Sequence, residues 1–241
     1  MRLFVLRLIT IIVILMSGWQ LLAQTSTLDK TDPGYVLLMS MYPEPYYGPL
    51  TEQDYEDVAK ELGVEVAALK AVVEIETGTR HEGFWSDGKP LINFDLTMFK
   101  KMATRNKVSL RQAQQDYPVI FNRPNIARYG SQQAAQQARL DAAMQVDELT
   151  AIQGTFWGMF QIGGFNWKKC GAGSAHDFVT LMSRSERDQL ELFAQFLINT
   201  GLVRHLVDKN WAAFSRGYNG PGYARKSYHT RMARAYTKFK N

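Results

Sequence analysis

From Leu50 onward, apolar side chains recur at steps of three and four residues, a period that builds helices and leaves little room for sheet. Tyr55, Val58, Ala59 and Leu62 fall at i, i+3, i+4 and i+7. They follow Thr51-Glu52-Gln53-Asp54, which resembles a capping box, and Gly63 can stop that helix. A second helix is predicted from about Glu65 to Glu76, and another over 186–199 with Leu190, Phe193, Ala194 and Leu197 on one face. The Gln-rich stretch from Ser131 to about Gln153 reads as one long helix. Short helices are expected near 202–207 and 211–218, and a last one from about Arg225 to Phe239. Strand signals are few: Asp87-Gly88 marks a turn and Leu91-Ile92-Asn93-Phe94 reads as a strand. The predicted class is mainly α (α+β), a helical domain with a small β-hairpin after the second helix.

Residues 1–23 read as a secretory signal. Arg2 and Arg7 precede an apolar run from Leu8 to Met16 that is shorter than a membrane span needs, and Ala23 offers a cleavage position. An uncleaved signal anchor is the rival reading. Cleavage implies export to the periplasm or beyond, with no stable membrane span. It leaves 26 Lys and Arg against 23 Asp and Glu, a balance that does not point to nucleic acid. Residues 24–49 turn from polar to rich in Pro and Tyr and are expected to form a linker or surface arm, with 50–241 as the folded domain. Cys170 stands alone, which excludes an internal disulfide and suits a buried small hydrophobe. His81, His176, His205 and His229 lack metal-ligand spacing, so neither metal nor cofactor is expected. After Asp208 the chain carries eight Lys or Arg and no acid, which suits attraction to anionic polymers or a solvated helix face.

One carboxylate is out of place. Leu69, Val72, Val73 and Glu76 share a stripe, so Glu76 lies on the core-facing side of the second helix and near its C-terminus. Burial and the negative end of the helix dipole both disfavour its charged form. Such a group can stay protonated near neutral pH and serve as a general acid; the alternative is a structural Glu paired with a buried base. Glu74 sits on the other side, with Lys70 as its expected i, i+4 partner. Glycosidic bond cleavage needs a second group or help from the substrate. Asp95, at the end of the predicted strand, ranks above the turn residue Asp87 for that role.

Two more segments look like site material. Gly158 to Gly164 is an apolar run with three glycines, which let backbone approach a ligand, and one polar residue, Gln161. That side chain either hydrogen-bonds a sugar or ties down its own turn. The segment Gly217-Tyr218-Asn219-Gly220-Pro221-Gly222 reads as a loop dense in helix breakers.

Together these segments resemble the lysozyme-like superfamily of goose-type lysozymes and lytic transglycosylases. There an acid followed by Ser or Thr ends a helix, like Glu76-Thr77. A Gly-Leu-Met-Gln-Ile-like motif follows, like Gly158 to Ile162, and a Tyr-Asn-Gly-type loop comes last, like Tyr218-Asn219-Gly220. The chain is more similar still to the N-acetylmuramidase family of phage endolysins and bacterial cell-wall enzymes. The stretches that carry this are LTEQDYEDVAKELGVEVAALKAVVEIET, GFWSDGKPLINFD, TFWGMFQIGGFN and WAAFSRGYNGPGYA.

The resemblance implies cleavage of the β-1,4 bond between N-acetylmuramic acid and N-acetylglucosamine in peptidoglycan, with Glu76 as the acid. Peptidoglycan strands are the implied partner, and a monomer is expected. Asp95 would stabilise the developing cation or orient water. Tyr218 and Asn219 would line the cleft, and Trp157, Phe160 and Gln161 would hold sugar rings. One departure stands out: the family's Phe-Glu-x-His-x-Phe is Phe94-Asp95-Leu96-Thr97-Met98-Phe99 here. A single acid without a clear partner also suits a lytic transglycosylase, and a catalytically silent wall-binding protein is the remaining alternative.

Overall fold

A computed structural model describes residues 45–78 and 82–240. The expected leader, most of the expected arm and His81 lie outside the described residues. Helix α1 (Glu52–Leu62) begins at the expected box: Thr51 Oγ1 accepts from the Asp54 N–H and the Asp54 carboxylate accepts from the Thr51 N–H. Gly63, at φ 65°, closes the helix in the left-handed conformation that glycine adopts without strain. Helix α2 (Val66–Thr77) buries Leu69, Val72 and Val73 almost completely. Each such side chain contributes roughly 1.5–3 kcal/mol on leaving water. The expected Lys70–Glu74 pair does not form. Lys70 Nζ lies 2.6 Å from Glu52 Oε1, and Glu74 takes Lys238 at 2.8 Å. Both carboxylates find an ammonium on another helix, so the i, i+4 contact is not needed.

The β structure is larger than the sequence suggests. Strands β1 (Phe84–Ser86) and β2 (Lys89–Pro90) form the expected hairpin around Asp87-Gly88. Strand β3 (Ile92–Phe94) instead joins β4 (Thr155–Trp157) and β5 (Ile162–Gly163) in an antiparallel sheet of order β3-β4-β5. Ile92 faces Trp157, Phe94 faces Thr155, and Trp157 faces Ile162. The Gly158–Gln161 segment is therefore the β4–β5 turn.

Helix α3 (Leu96–Arg105) follows Asp95. Three single-turn helices come next, α4 (Ala113–Asp116), α5 (Pro118–Phe121) and α6 (Ile126–Tyr129). The long Gln-rich helix is in fact two, α7 (Gln132–Val146) and α8 (Glu148–Gln153). Asp147 adopts an extended backbone between them and its carboxylate accepts from the Thr150 N–H, so a side-chain cap wins over helix continuation. Past the sheet, α9 (Ala175–Met182) leads to α10 (Glu186–Asn199), where Leu190, Phe193, Ala194 and Leu197 are buried as expected. Arg187 on α10 pairs with Asp54 and Asp57 of α1.

Helices α11 (Val203–Val207), α12 (Trp211–Asn219) and α13 (Tyr228–Lys240) complete the domain. The last helix starts later than expected: 221–226 form a 3-10 turn and Ser227 sits at φ 52°, which no α-helix accommodates. Helix α13 packs on α2. Three of the tail's cations are spent on α2 or its cap, with Lys238 on Glu74 and Lys209 and Lys240 on Glu65. Cys170 is buried, and burial pushes its thiol up to about 12, the inert state expected of it. Among the described residues no helix is long and apolar enough to cross a membrane.

Candidate active site

Glu76 occupies the last turn of α2, part-buried although it shares the apolar stripe of Leu69, Val72 and Val73. Asn219, the final residue of α12, donates from Nδ2 to Glu76 Oε1 at 2.9 Å. Burial raises the Glu76 carboxyl to about 7 from an ordinary 4.5. The Asn219 hydrogen bond and the charge of Arg231 oppose that shift and are outweighed. Glu76 is thus a carboxyl whose proton can be held near neutral pH. Because Oε1 accepts from Asn219, Oε2 is the oxygen free to carry that proton.

Tyr218 precedes Asn219, and its hydroxyl donates to the Phe160 carbonyl at 2.9 Å. Burial holds the Tyr218 phenol well above its usual range, with the Glu76 charge acting in the same direction. Both residues lie in the final turn of α12, not in the loop the sequence suggested; that loop starts at Gly220, at φ 75°.

The β4–β5 turn stands on the other side of this bond. Gly158 at φ 69° and Gln161 at φ 48° both have left-handed backbone. For glycine this costs little, while a glutamine there is strained and needs support. The support is local: Gln161 Nε2 donates to the Gly158 carbonyl at 2.8 Å. Gln161 remains exposed as a residue, and its amide oxygen makes no hydrogen bond among the described residues. Trp157 and Phe160 do not form a sugar platform. Trp157 is 3% exposed and its indole N–H donates to Ile152 O; Phe160 is 3% exposed and stacks on Phe193 at 4.2 Å. Their rings are already committed to the core, and Phe160 meets Tyr218 through its carbonyl.

Asp95 is the N-cap of α3: Oδ1 accepts the Met98 N–H at 2.7 Å, while its own N–H donates to Gly154 O. Its hydrogen bonds run to α3 and α8, and those of Glu76 run to α12. Among the described residues the two carboxylates share no hydrogen-bond partner.

Sequence reasoning missed the pair that anchors the turn. Gln189, fully buried on α10, accepts the Met159 N–H at 2.7 Å and donates to Met182 O at 2.8 Å and Gly83 O at 3.3 Å. Glu186, one turn earlier, accepts the N–H groups of Gly83 at 2.7 Å and Leu50 at 3.2 Å. Burial raises the Glu186 carboxyl, with those two N–H groups pulling the other way. A Cβ at Gly83 or at Gly158 would stand 2.7 Å from Gln189 Oε1, so both glycines are required by this close approach. The chain of contacts runs from Gly83 through Gln189, the β4–β5 turn, Tyr218 and Asn219 to Glu76. The signal was present: Glu186 and Gln189 share the stripe of Leu190 and Phe193, the same displacement that exposed Glu76. Among the described residues no cluster of three or more His, Cys, Asp or Glu is placed to hold a metal.

Comparison with known proteins places the chain in a family. No curated protein matches the chain. Among solved structures, the crystal structure of Burkholderia AP3 phage endolysin superposes with a TM-score of 0.69 at 31% identity, covering 86% of this chain and 76% of that one. The family model for N-acetylmuramidase matches residues 65–240, a span that holds Glu76, the β4–β5 turn and Asn219. The chain belongs to the N-acetylmuramidase family.

Proposed function

We propose that this protein hydrolyses the β-1,4 bond between N-acetylmuramic acid and N-acetylglucosamine in peptidoglycan, with Glu76 as the general acid. Family membership gives the coarse assignment, a peptidoglycan-directed glycoside hydrolase acting on the cell wall. The observation that carries the finer one is the Glu76 carboxyl, raised to about 7 by burial and held by Asn219.

Protonated Oε2 donates to the glycosidic oxygen as the bond breaks, and positive charge develops at C1 of the muramic acid ring. Asn219 fixes the carboxyl plane, which keeps the proton aimed at the leaving oxygen. The Gln161 amide oxygen supplies a polar contact to the sugar at the β4–β5 turn. We read Asp95 as a helix cap first, because its Oδ1 is committed to the Met98 N–H. The cation then meets water or the substrate's own N-acetyl oxygen.

The commitment of Asp95 Oδ1 to capping α3 favours a second reading, in which the C6 hydroxyl of the muramic acid attacks C1 and the enzyme is a lytic transglycosylase. Mass spectrometry of digested peptidoglycan separates the two. Hydrolysis yields reducing-end N-acetylmuramic acid; transglycosylation yields products one water lighter with an anhydro ring. Intact glycan with the protein still bound to it would overturn both and leave a wall-binding protein. We further propose that residues 1–23 direct export, so that the domain meets the wall from outside the cytoplasm.

A further inference from the structure

A cavity of about 500 Å³ opens among α4, α5, α6 and α7, and none of Glu76, Tyr218, Asn219 or the β4–β5 turn lines it. Its charged wall is Arg123, Arg128 and Arg139 against the single acid Asp116, with Tyr117 and Tyr129 beside them. Among the described residues no ion pair engages any of the three arginines. Arg123 and Arg128 are exposed, whereas Arg139 is only 6% exposed.

Arg139 is a buried cation with incomplete partners. Nη1 donates to Phe94 O at 3.1 Å and to Gln136 Oε1 at 3.3 Å, and Nη2 donates to Ile120 O at 2.9 Å. The guanidinium also lies over the Phe94 ring at 4.8 Å. All of these partners are neutral. Five N–H groups are available on a guanidinium. The three bonds leave one Nη2–H and the Nε–H, and Nε is buried without a partner. Asp95 acts on Arg139 through its charge, with no ion pair between them. A desolvated cation is costly to keep without an anion. Two free donors on neighbouring guanidinium nitrogens are the fork that grips a carboxylate with parallel hydrogen bonds.

We propose that this cavity binds a small carboxylate ligand of about the size of a short acidic peptide, with Arg139 gripping the carboxylate from the back wall and Arg123 and Arg128 drawing it in at the mouth. The volume is within the range of small-molecule sites. Nε is shielded from solvent, so engaging it requires the guanidinium to turn toward the cavity. The carboxylate can come from an acidic peptide stem of peptidoglycan or from a free carboxylic acid. The inference does not depend on Glu76 being a catalyst.

The test is titration of the ¹⁵N-labelled full chain, following the Arg139 Nε–H resonance, with an L-alanyl-γ-D-glutamyl-L-lysine tripeptide, with citrate and with inorganic phosphate. A saturable shift of that resonance by the tripeptide or by citrate is expected, the tighter of the two identifying the source. Arg139→Lys removes the resonance and assigns it. Since that variant can also loosen α7, the decisive one is Arg123→Gln/Arg128→Gln, both at exposed positions. It should weaken binding at least about ten-fold, the electrostatic share of a small anion's affinity, without moving the thermal midpoint. No shift with either carboxylate at roughly 10 mM, the weak limit of specific binding, would overturn the proposal. So would phosphate binding as well as the carboxylates, or binding unchanged in the double variant.

Discussion

Asn219 Nδ2 donates to Glu76 Oε1 across 2.9 Å, joining the last turns of two helices 143 residues apart in sequence. The bond has two effects. It stabilises the ionised carboxylate, and so works against burial in setting where Glu76 titrates. It also fixes which oxygen can hold the proton. Asn219→Ala should therefore lower the wall-digestion rate by about ten-fold, the worth of one or two kcal/mol of hydrogen bonding. The remaining activity should persist to higher pH, because the lost bond had been lowering the Glu76 pKa. Arg231→Gln should move the same limb upward, since it too removes an influence that favours the charged form. A pH–rate profile of each variant checks both.

Glu76 also links stability to pH. Its folded-state value of about 7 lies above the ordinary 4.5, so the folded protein holds the proton more tightly than the unfolded chain. Below pH 4.5 both states are protonated and the group costs nothing. Between 4.5 and 7 the cost of keeping it buried grows, and above about 7 it levels off. Glu76→Gln, neutral at every pH, should match wild type in acid and become more stable by on the order of 3 kcal/mol at pH 8. Urea unfolding of both proteins at several pH values measures the difference.

Asp95 separates a cap from a catalyst. Asparagine is as good an N-cap as aspartate, whereas alanine loses about 1 kcal/mol. Asp95→Asn should keep the cap, lose only the attraction of its charge for Arg139, and remain within a few-fold of wild-type activity; Asp95→Ala should lose the cap energy as well. A large loss of activity in Asp95→Asn at unchanged stability would give this carboxylate a chemical role.

Gln189 holds the β4–β5 turn and the start of the β1 hairpin through one buried amide. Gln189→Leu leaves the Met159 N–H and the carbonyls of Gly83 and Met182 without that partner. Gly83 O keeps the Leu91 N–H, so two groups lose their partner and the expected loss is at least about 2 kcal/mol, since each buried group left unpaired costs about 1–3 kcal/mol. Gly158→Ala should destabilise as well, by about 1–2 kcal/mol, because it combines φ 69° with a Cβ 2.7 Å from Gln189 Oε1. Thermal unfolding of both variants tests the anchor.

What the sequence disclosed depended on whether the signal was local. The Thr51–Asp54 capping box, the stripe of α10 and the displaced Glu76 are each set within one or two helical turns, and each was legible. The break at Asp147 was hidden because a side-chain cap beat an otherwise good helix pattern. Strands β4 and β5 were hidden because they are short and take their meaning from β3, some sixty residues earlier. Trp157 and Phe160 illustrate a different limit. An aromatic beside a glycine turn reads the same whether it faces a ligand or the core, and only packing against Phe193 and Ile152 decides it. Asn219 could be named as a site residue from its motif, but its partner, Glu76, could not be read from spacing alone.

The central claim is that Glu76 delivers the proton, and the most direct measurement is kcat/KM for digestion of purified peptidoglycan across pH, for wild type and Glu76→Gln. The account predicts a wild-type profile that declines as pH rises through about 7, where Glu76 loses its proton. It predicts that Glu76→Gln is slower by a factor of about 10²–10⁴ and has lost that limb. A Glu76→Gln protein that digests the wall at the wild-type rate, with the same decline near neutrality, would contradict it.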